Sequence, residues 1–343
     1  MAQSSLSGVL TSVKPITSLL GSPLRLSLNS SLQNREHPIY PKDTRFRGPL
    51  EPLPLKQRIP PRTWDTHMHV VEPQRYPVSA AAIYQPSPHT LDEAIAFESS
   101  LGIENFVLVQ PSIYGTDNSC LLEALRQVGS SHGRGVVVID PATIEADTLT
   151  EWHSLGVRGV RVNLKSVGKV LSEQELTETL MQHAEVVRPL DWIIQVYISL
   201  DMVPMLERIA PQLGVKVCID HFGAPNLLSL TQTGEKSFDP YSLRGFSSLI
   251  SLLRGGDTYV KISAPYRFTN DKEMRDLETI IREFLREAPD RVLYATDWPH
   301  TRFSAVDIEP FTELCLRLCG DVPGLAERVF RQNAEDLMDG RRR

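Results

Sequence analysis

Short apolar runs alternate with amphipathic stretches from about residue 63 to near the end of the chain. The runs fall at 63–70, 105–110, 134–139, 157–163, 192–198, 215–220, 258–263 and 292–296. They are rich in Val and Ile and mostly lack strict polar–apolar alternation, as strands covered on both faces do. Helical periodicity lies between them, at 91–101, 119–128, 172–187, 202–213, 244–253 and 272–287. Ser172, followed by Glu173 and Glu175, reads as a helix start, and Arg188-Pro189 as its stop. Eight strand–helix units predict an α/β fold, a closed (β/α)8 TIM barrel. A doubly wound sheet competes, but no G-x-G-x-x-G follows the first strand.

Residues 1–61 depart from this pattern. Pro49, Pro52, Pro54, Pro60 and Pro61 remove ladder donors and prevent helices. The expected organisation is an irregular or disordered extension over 1–61 and a catalytic domain over 62–343. The first 35 residues hold Lys14, Arg25 and Arg35 and no acid, a composition shared by organelle transit peptides, although Pro15 and Pro23 interrupt any long amphipathic helix. The expected location is cytoplasmic, with mitochondrial targeting through the extension as the alternative.

Composition narrows the partners. With 41% hydrophobic and 23% charged residues and a formal net charge of -6, the chain lacks the basic footprint of a nucleic-acid binder. No run approaches the ~20 apolar residues of a membrane span. Cys120, Cys218, Cys315 and Cys319 form no C-x-x-C pair; Cys315 and Cys319, four apart, read as small buried residues sharing a helix face.

A barrel of this kind carries its active site at the C-terminal ends of its strands. Polar residues collect there: His67 and His69 on the first strand, Gln110 and Ser112 after the second, and Asp140 after the third. Arg161 and Asn163 close the fourth, Gln195 and Tyr197 lie late on the fifth, and Asp220 and His221 end the sixth. Ser263 and Arg267 follow the seventh, and Asp297 follows the eighth. Strand periodicity projects His67 and His69 from one side. Each residue also has a plain reading. Asp297 can cap a following helix, Arg161 can pair with Asp65, and His221 can bond a backbone carbonyl. His37, His89, His132, His153 and His183 read as surface residues.

The stretches Asp65-Thr66-His67-Met68-His69, Val109-Gln110-Pro111-Ser112, Gly159-Val160-Arg161-Val162-Asn163, Ile219-Asp220-His221-Phe222-Gly223, Pro265-Tyr266-Arg267 and Thr296-Asp297-Trp298-Pro299-His300 resemble the amidohydrolase superfamily. Within its amidohydrolase-2 branch they most resemble the 2-pyrone-4,6-dicarboxylate lactonase group. The resemblance implies that His67, His69, His221 and Asp297 surround a reacting carbonyl. It implies that Arg161 and Arg267 hold substrate carboxylates, and that Tyr197, Ser112, Tyr84 and His300 help bind substrate. The group carries a second arginine six positions after the fourth-strand one; here that position is Val167, and Lys165 is the expected substitute. A lysine lacks the planar bidentate fork, so an anionic lactone or enol-lactone is expected rather than a dicarboxylated pyrone.

Metal-using members of the branch place a histidine on the fifth strand, and residues 192–199 hold none. The expectation is therefore metal-independent hydrolysis without a cofactor, Asp297 activating water because burial brings its pKa toward neutrality, and the histidines polarising the carbonyl. The alternatives are a single divalent metal, zinc, on His67, His69, Asp297 and His221; a metal-dependent decarboxylase of the same branch acting on an aromatic or muconate-type acid; and a non-catalytic binding barrel.

Overall fold

The computed structural model describes residues 53–228 and 239–340 of the chain. Most of the expected extension, its targeting-like composition and His37 lie outside the described residues. Eight strands form one parallel sheet in sequential order: β1 (Trp64–Met68), β2 (Asn105–Val109), β3 (Gly133–Val137), β4 (Val157–Asn163), β5 (Ile193–Tyr197), β6 (Val217–Ile219), β7 (Thr258–Ile262) and β8 (Val292–Tyr294). All but three of these strand residues fall in the buried class; Arg134, Arg158 and Asn163 are half-buried. The cylinder closes between β8 and β1 through the segments that continue them. Asp297 N–H donates to His67 O at 3.0 Å and His69 N–H to Trp298 O at 2.8 Å. This is the (β/α)8 TIM barrel that the hydrophobic pattern predicts.

Helices cover the outside because their apolar stripes match the sheet. The helix Arg275–Glu287 buries Leu277, Ile280, Ile281 and Phe284, an i, i+3, i+4, i+7 stripe. Glu173–Val187 starts with a capping box: Ser172 Oγ accepts from Glu175 N–H, and the Glu175 carboxylate accepts from Ser172 N–H. A helix at Ala146–Leu155, absent from the predicted set, buries only Leu149 and has no side-chain cap bond. Cys315 and Cys319 are both buried in the helix Glu309–Gly320. No helix among the described residues is long and apolar enough to cross a membrane.

Register sets the site's layers. Arg161 on β4 lies level with Gln195 on β5, and Asn163 with Tyr197 one step nearer the rim. A Cβ at Gly159 would sit 2.6 Å from Ile193 Cγ1, so glycine there lets β4 approach β5 closely. Asp65 ties β1 to the end of β8, accepting from His67 N–H at 2.9 Å, from Thr296 N–H at 3.0 Å and from the Thr296 hydroxyl. Burial pushes the Asp65 carboxyl up to about 6, against these hydrogen bonds.

Candidate active site

The polar residues at the ends of β1, β6 and β8 converge. His67 Nε2, His69 Nε2 and His221 Nε2 lie 3.7, 3.8 and 3.7 Å from one atom, Asp297 Oδ1. All four residues are buried. His67, His221 and Asp297 each offer a ligand atom within 4.8 Å of the others.

The outer side of each ring is fixed. His67 Nδ1–H donates to Asp220 Oδ1 at 3.2 Å, and His69 Nδ1–H to the Val109 carbonyl at 2.7 Å. His221 Nδ1 bonds Ser263 Oγ at 2.7 Å. A carbonyl and a carboxylate can only accept, so Nε2 of His67 and of His69 carries a lone pair when the ring is neutral. Burial, ahead of the nearby charges, pushes the His69 and His221 imidazoles down to about 4 and His67 well below its usual range.

The other oxygen of Asp297 is occupied. Oδ2 accepts from Tyr266 Oη at 2.6 Å and from Arg267 Nε and Nη2 at 3.0 and 2.9 Å. Burial does act to raise this carboxyl, but Arg267 and the three histidines outweigh it and hold it well below the usual range. The expectation that burial brings Asp297 toward neutrality is corrected by that arginine, which the resemblance assigned to substrate. Nor does Asp297 cap a helix, since the chain continues in turns until Glu309.

Beneath the histidines lies a second buried layer. Asp220 accepts from Gln195 Nε2 at 3.1 Å and lies 3.6 Å from Lys261 Nζ and from Arg161 Nη2. Lys261 Nζ donates to Gln195 Oε1 at 2.7 Å. Burial alone would raise the Asp220 carboxyl; His67, Lys261 and Arg161 hold it well below its usual range. Arg161 therefore pairs with Asp220 and not with Asp65, and its Nη1–H donates to the Gln110 carbonyl at 2.9 Å. Sequence reasoning missed Lys261 and Tyr266. The signal for Lys261 was a lone ammonium in the apolar run of β7. Tyr266 offered only its position beside Arg267.

A narrow cavity of about 20 Å³ opens over this cluster. Of the residues expected to bind substrate, Tyr84, Ser112, Arg161, Tyr197 and Arg267 line it together, with His69, His221 and Asp297 in its wall. Two do not. Lys165 lines a neighbouring cavity with Asp201 and Arg244. His300 lines another, packed against Phe97 and Tyr266. Asp140, expected at the rim, is exposed and accepts from Ala142 N–H and Thr143 Oγ1. Among the histidines read as surface residues, His183 is buried and bonded to Thr179 O, while His153 accepts from Trp192 Nε1 at 2.8 Å and His89 packs on Trp298. His132 is exposed.

Comparison with known proteins agrees with this architecture. Residues 64–339 match the amidohydrolase family. The 4-sulfomuconolactone hydrolase of Hydrogenophaga intermedia is 30% identical over 75% of this chain and 81% of its own length. The 2-pyrone-4,6-dicarboxylate hydrolase of Comamonas testosteroni is 28% identical over 71% of this chain and 78% of its own. A solved structure from Pseudomonas putida, provisionally named a 2-pyrone-4,6-dicarboxylic acid hydrolase, superposes with a TM-score of 0.67. It is 28% identical, the match covering 82% of this chain and 99% of that one.

Proposed function

Because this chain belongs to the amidohydrolase family, we propose that it hydrolyses the ring ester of a small lactone bearing an acidic group. The convergence of three imidazole Nε2 atoms on Asp297 Oδ1, at the floor of an arginine-lined cavity, carries this reading. Its relatives' names support the substrate class: both are hydrolases of lactone-type rings that carry acidic substituents.

The donor set fits a divalent cation. His67 and His69 turn Nε2 lone pairs toward a carboxylate oxygen, and His67 Nε2 is buried without a hydrogen-bond partner among the described residues. Negative ends facing one another at 3.7–3.8 Å repel unless positive charge lies among them. His67, His69, His221 and Asp297 would hold the ion, and imidazoles with a carboxylate suit zinc. This favours the metal alternative over metal-free hydrolysis. When bound, such an ion supplies Lewis acidity toward a carbonyl or water oxygen.

The chain's own residues divide the remaining work. Tyr266 and Arg267 occupy Asp297 Oδ2 and keep the carboxylate ionised, so Oδ1 would face the cation with one lone pair and accept a proton from the attacking water with the other. The water oxygen bonds to the ring carbonyl carbon, the ring C–O bond breaks, and Asp297 Oδ1 returns the proton to the leaving oxygen. Arg161, whose Nε–H has no hydrogen-bond partner among the described residues, anchors the acidic substituent by charge-assisted bonds. Ser112 and Tyr197 orient the ring.

The test is a panel of carboxylated and sulfonated lactones, assayed for ring opening with product analysis. At least one should open, yielding one new carboxylate. Carbon dioxide as product would indicate decarboxylation instead, and no turnover across the panel would contradict the reading.

A further inference from the structure

Three guanidinium groups line the cavity, those of Arg161, Arg267 and Arg302, against a single carboxylate, Asp297. Two of them are engaged. Arg267 is bound to Asp297, and Arg161 lies against Asp220. Arg302 forms no ion pair among the described residues. Its guanidinium lies over the Tyr84 ring, with Cζ 5.3 Å from the centroid. Arg302 is exposed, whereas Arg161 is buried, so cationic groups stand at both the open and the closed side of the cavity.

Arg302 is presented by an ordered loop. Directly after β8, His300 N–H donates to Asp297 O at 2.8 Å and Phe303 N–H to His300 O at 2.9 Å. Arg267 Nη2 reaches Thr301 O at 3.3 Å and its guanidinium lies over the Phe303 ring. Asp297, His300 and Arg302 take φ of 64°, 62° and 69°, a left-handed conformation that costs a non-glycine residue on the order of 1 kcal/mol and persists only where neighbours hold it. The arginine that grips the catalytic carboxylate thus also holds the loop that aims Arg302. A guanidinium stacked on an aromatic face keeps its N–H edge free for a planar oxyanion.

We propose that Arg302, with Tyr84 beneath it, recognises a second oxyanion group on the substrate, the first being held by Arg161. This rests on the lactonase reading and makes the preferred substrate a dianion. The residues to which the sequence pointed for that role do not reach the cavity: Lys165 faces a different one, and Val167 is exposed and apolar.

The experiment uses the full-length protein and two readouts. Calorimetry measures binding of benzoate, isophthalate and 3-sulfobenzoate to wild type, Arg302→Gln and Arg302→Lys. Wild type should bind at least one dianion roughly tenfold more tightly than benzoate. Arg302→Gln should lose that preference, and Arg302→Lys should recover part of it. In parallel, the ratio of KM values for matched mono- and dianionic lactones should shift by the same factor. Equal affinities in wild type, or a preference that survives in Arg302→Gln, would overturn the assignment. Calorimetry decides this even if no lactone is turned over, an outcome that would strike the lactonase reading separately.

Discussion

Arg267 binds Oδ2 of Asp297 through Nε and Nη2, at 3.0 and 2.9 Å, and thereby turns Oδ1 toward His67, His69 and His221. The orientation of the acid is therefore set by an arginine 30 residues upstream, on the loop after the neighbouring strand. Replacing Arg267 by Met removes this clamp and leaves a buried carboxylate held by Tyr266 alone. The expected result is a fall in kcat of about 100-fold, in line with the loss of one preorganised electrostatic partner. Steady-state kinetics check it; a change confined to KM would return Arg267 to a substrate-binding role.

Asp220 is the support beneath the histidines. It accepts from His67 Nδ1 and compensates Lys261 and Arg161. Asp220→Asn should lower activity by about 10- to 100-fold, the usual cost of removing the carboxylate that orients an active-site imidazole. It should also lower the Tm, because Lys261 is left buried beside Gln195 and His67 without the carboxylate that balances its charge. Loss of activity with an unchanged Tm would mean that the lysine does not depend on this carboxylate.

Glu98 predicts a pH effect on stability. It is fully buried beside Asp65, and burial first, then the Asp65 charge, holds its carboxyl well above the usual range. The unfolded chain releases this proton near pH ~4.3, while the folded chain retains it. Stability from this group is therefore complete below that pH and is lost as pH rises through the folded-state pKa. Glu98→Gln is neutral at every pH, so its urea midpoint should gain on wild type as pH rises from about 4 to about 8. A difference that stays constant across this range would contradict the assignment.

Metal content gives a separate outcome. Elemental analysis of the purified protein should find close to one divalent ion per chain, and a chelator should abolish turnover until zinc is restored. Full activity with no bound metal would support the metal-free alternative.

Much of the barrel was legible because burial on both faces writes β-rich apolar runs, and each run ends in a polar residue that the interior cannot accept without function. His67, His69, His221 and Asp297 could be singled out for that reason. The helix Ala146–Leu155 was missed: Leu149, Trp152 and Leu155 face the core, but only Leu149 is fully buried and no side-chain cap bond marks its start. Partnerships were harder still. Arg161 pairing with Asp220 and Arg267 with Asp297 join residues from different barrel units, as does the burial of Glu98 beside Asp65, and no local pattern records which groups meet. The cavity wall depends on loop course, which separates Lys165 from the site and brings Arg302 to it.

The most direct test of the account is the turnover of Asp297→Asn on a carboxylated lactone opened by the wild-type enzyme. The account predicts a kcat reduced by about 100- to 10,000-fold with substrate binding retained by Arg161. Turnover at the wild-type rate would contradict it.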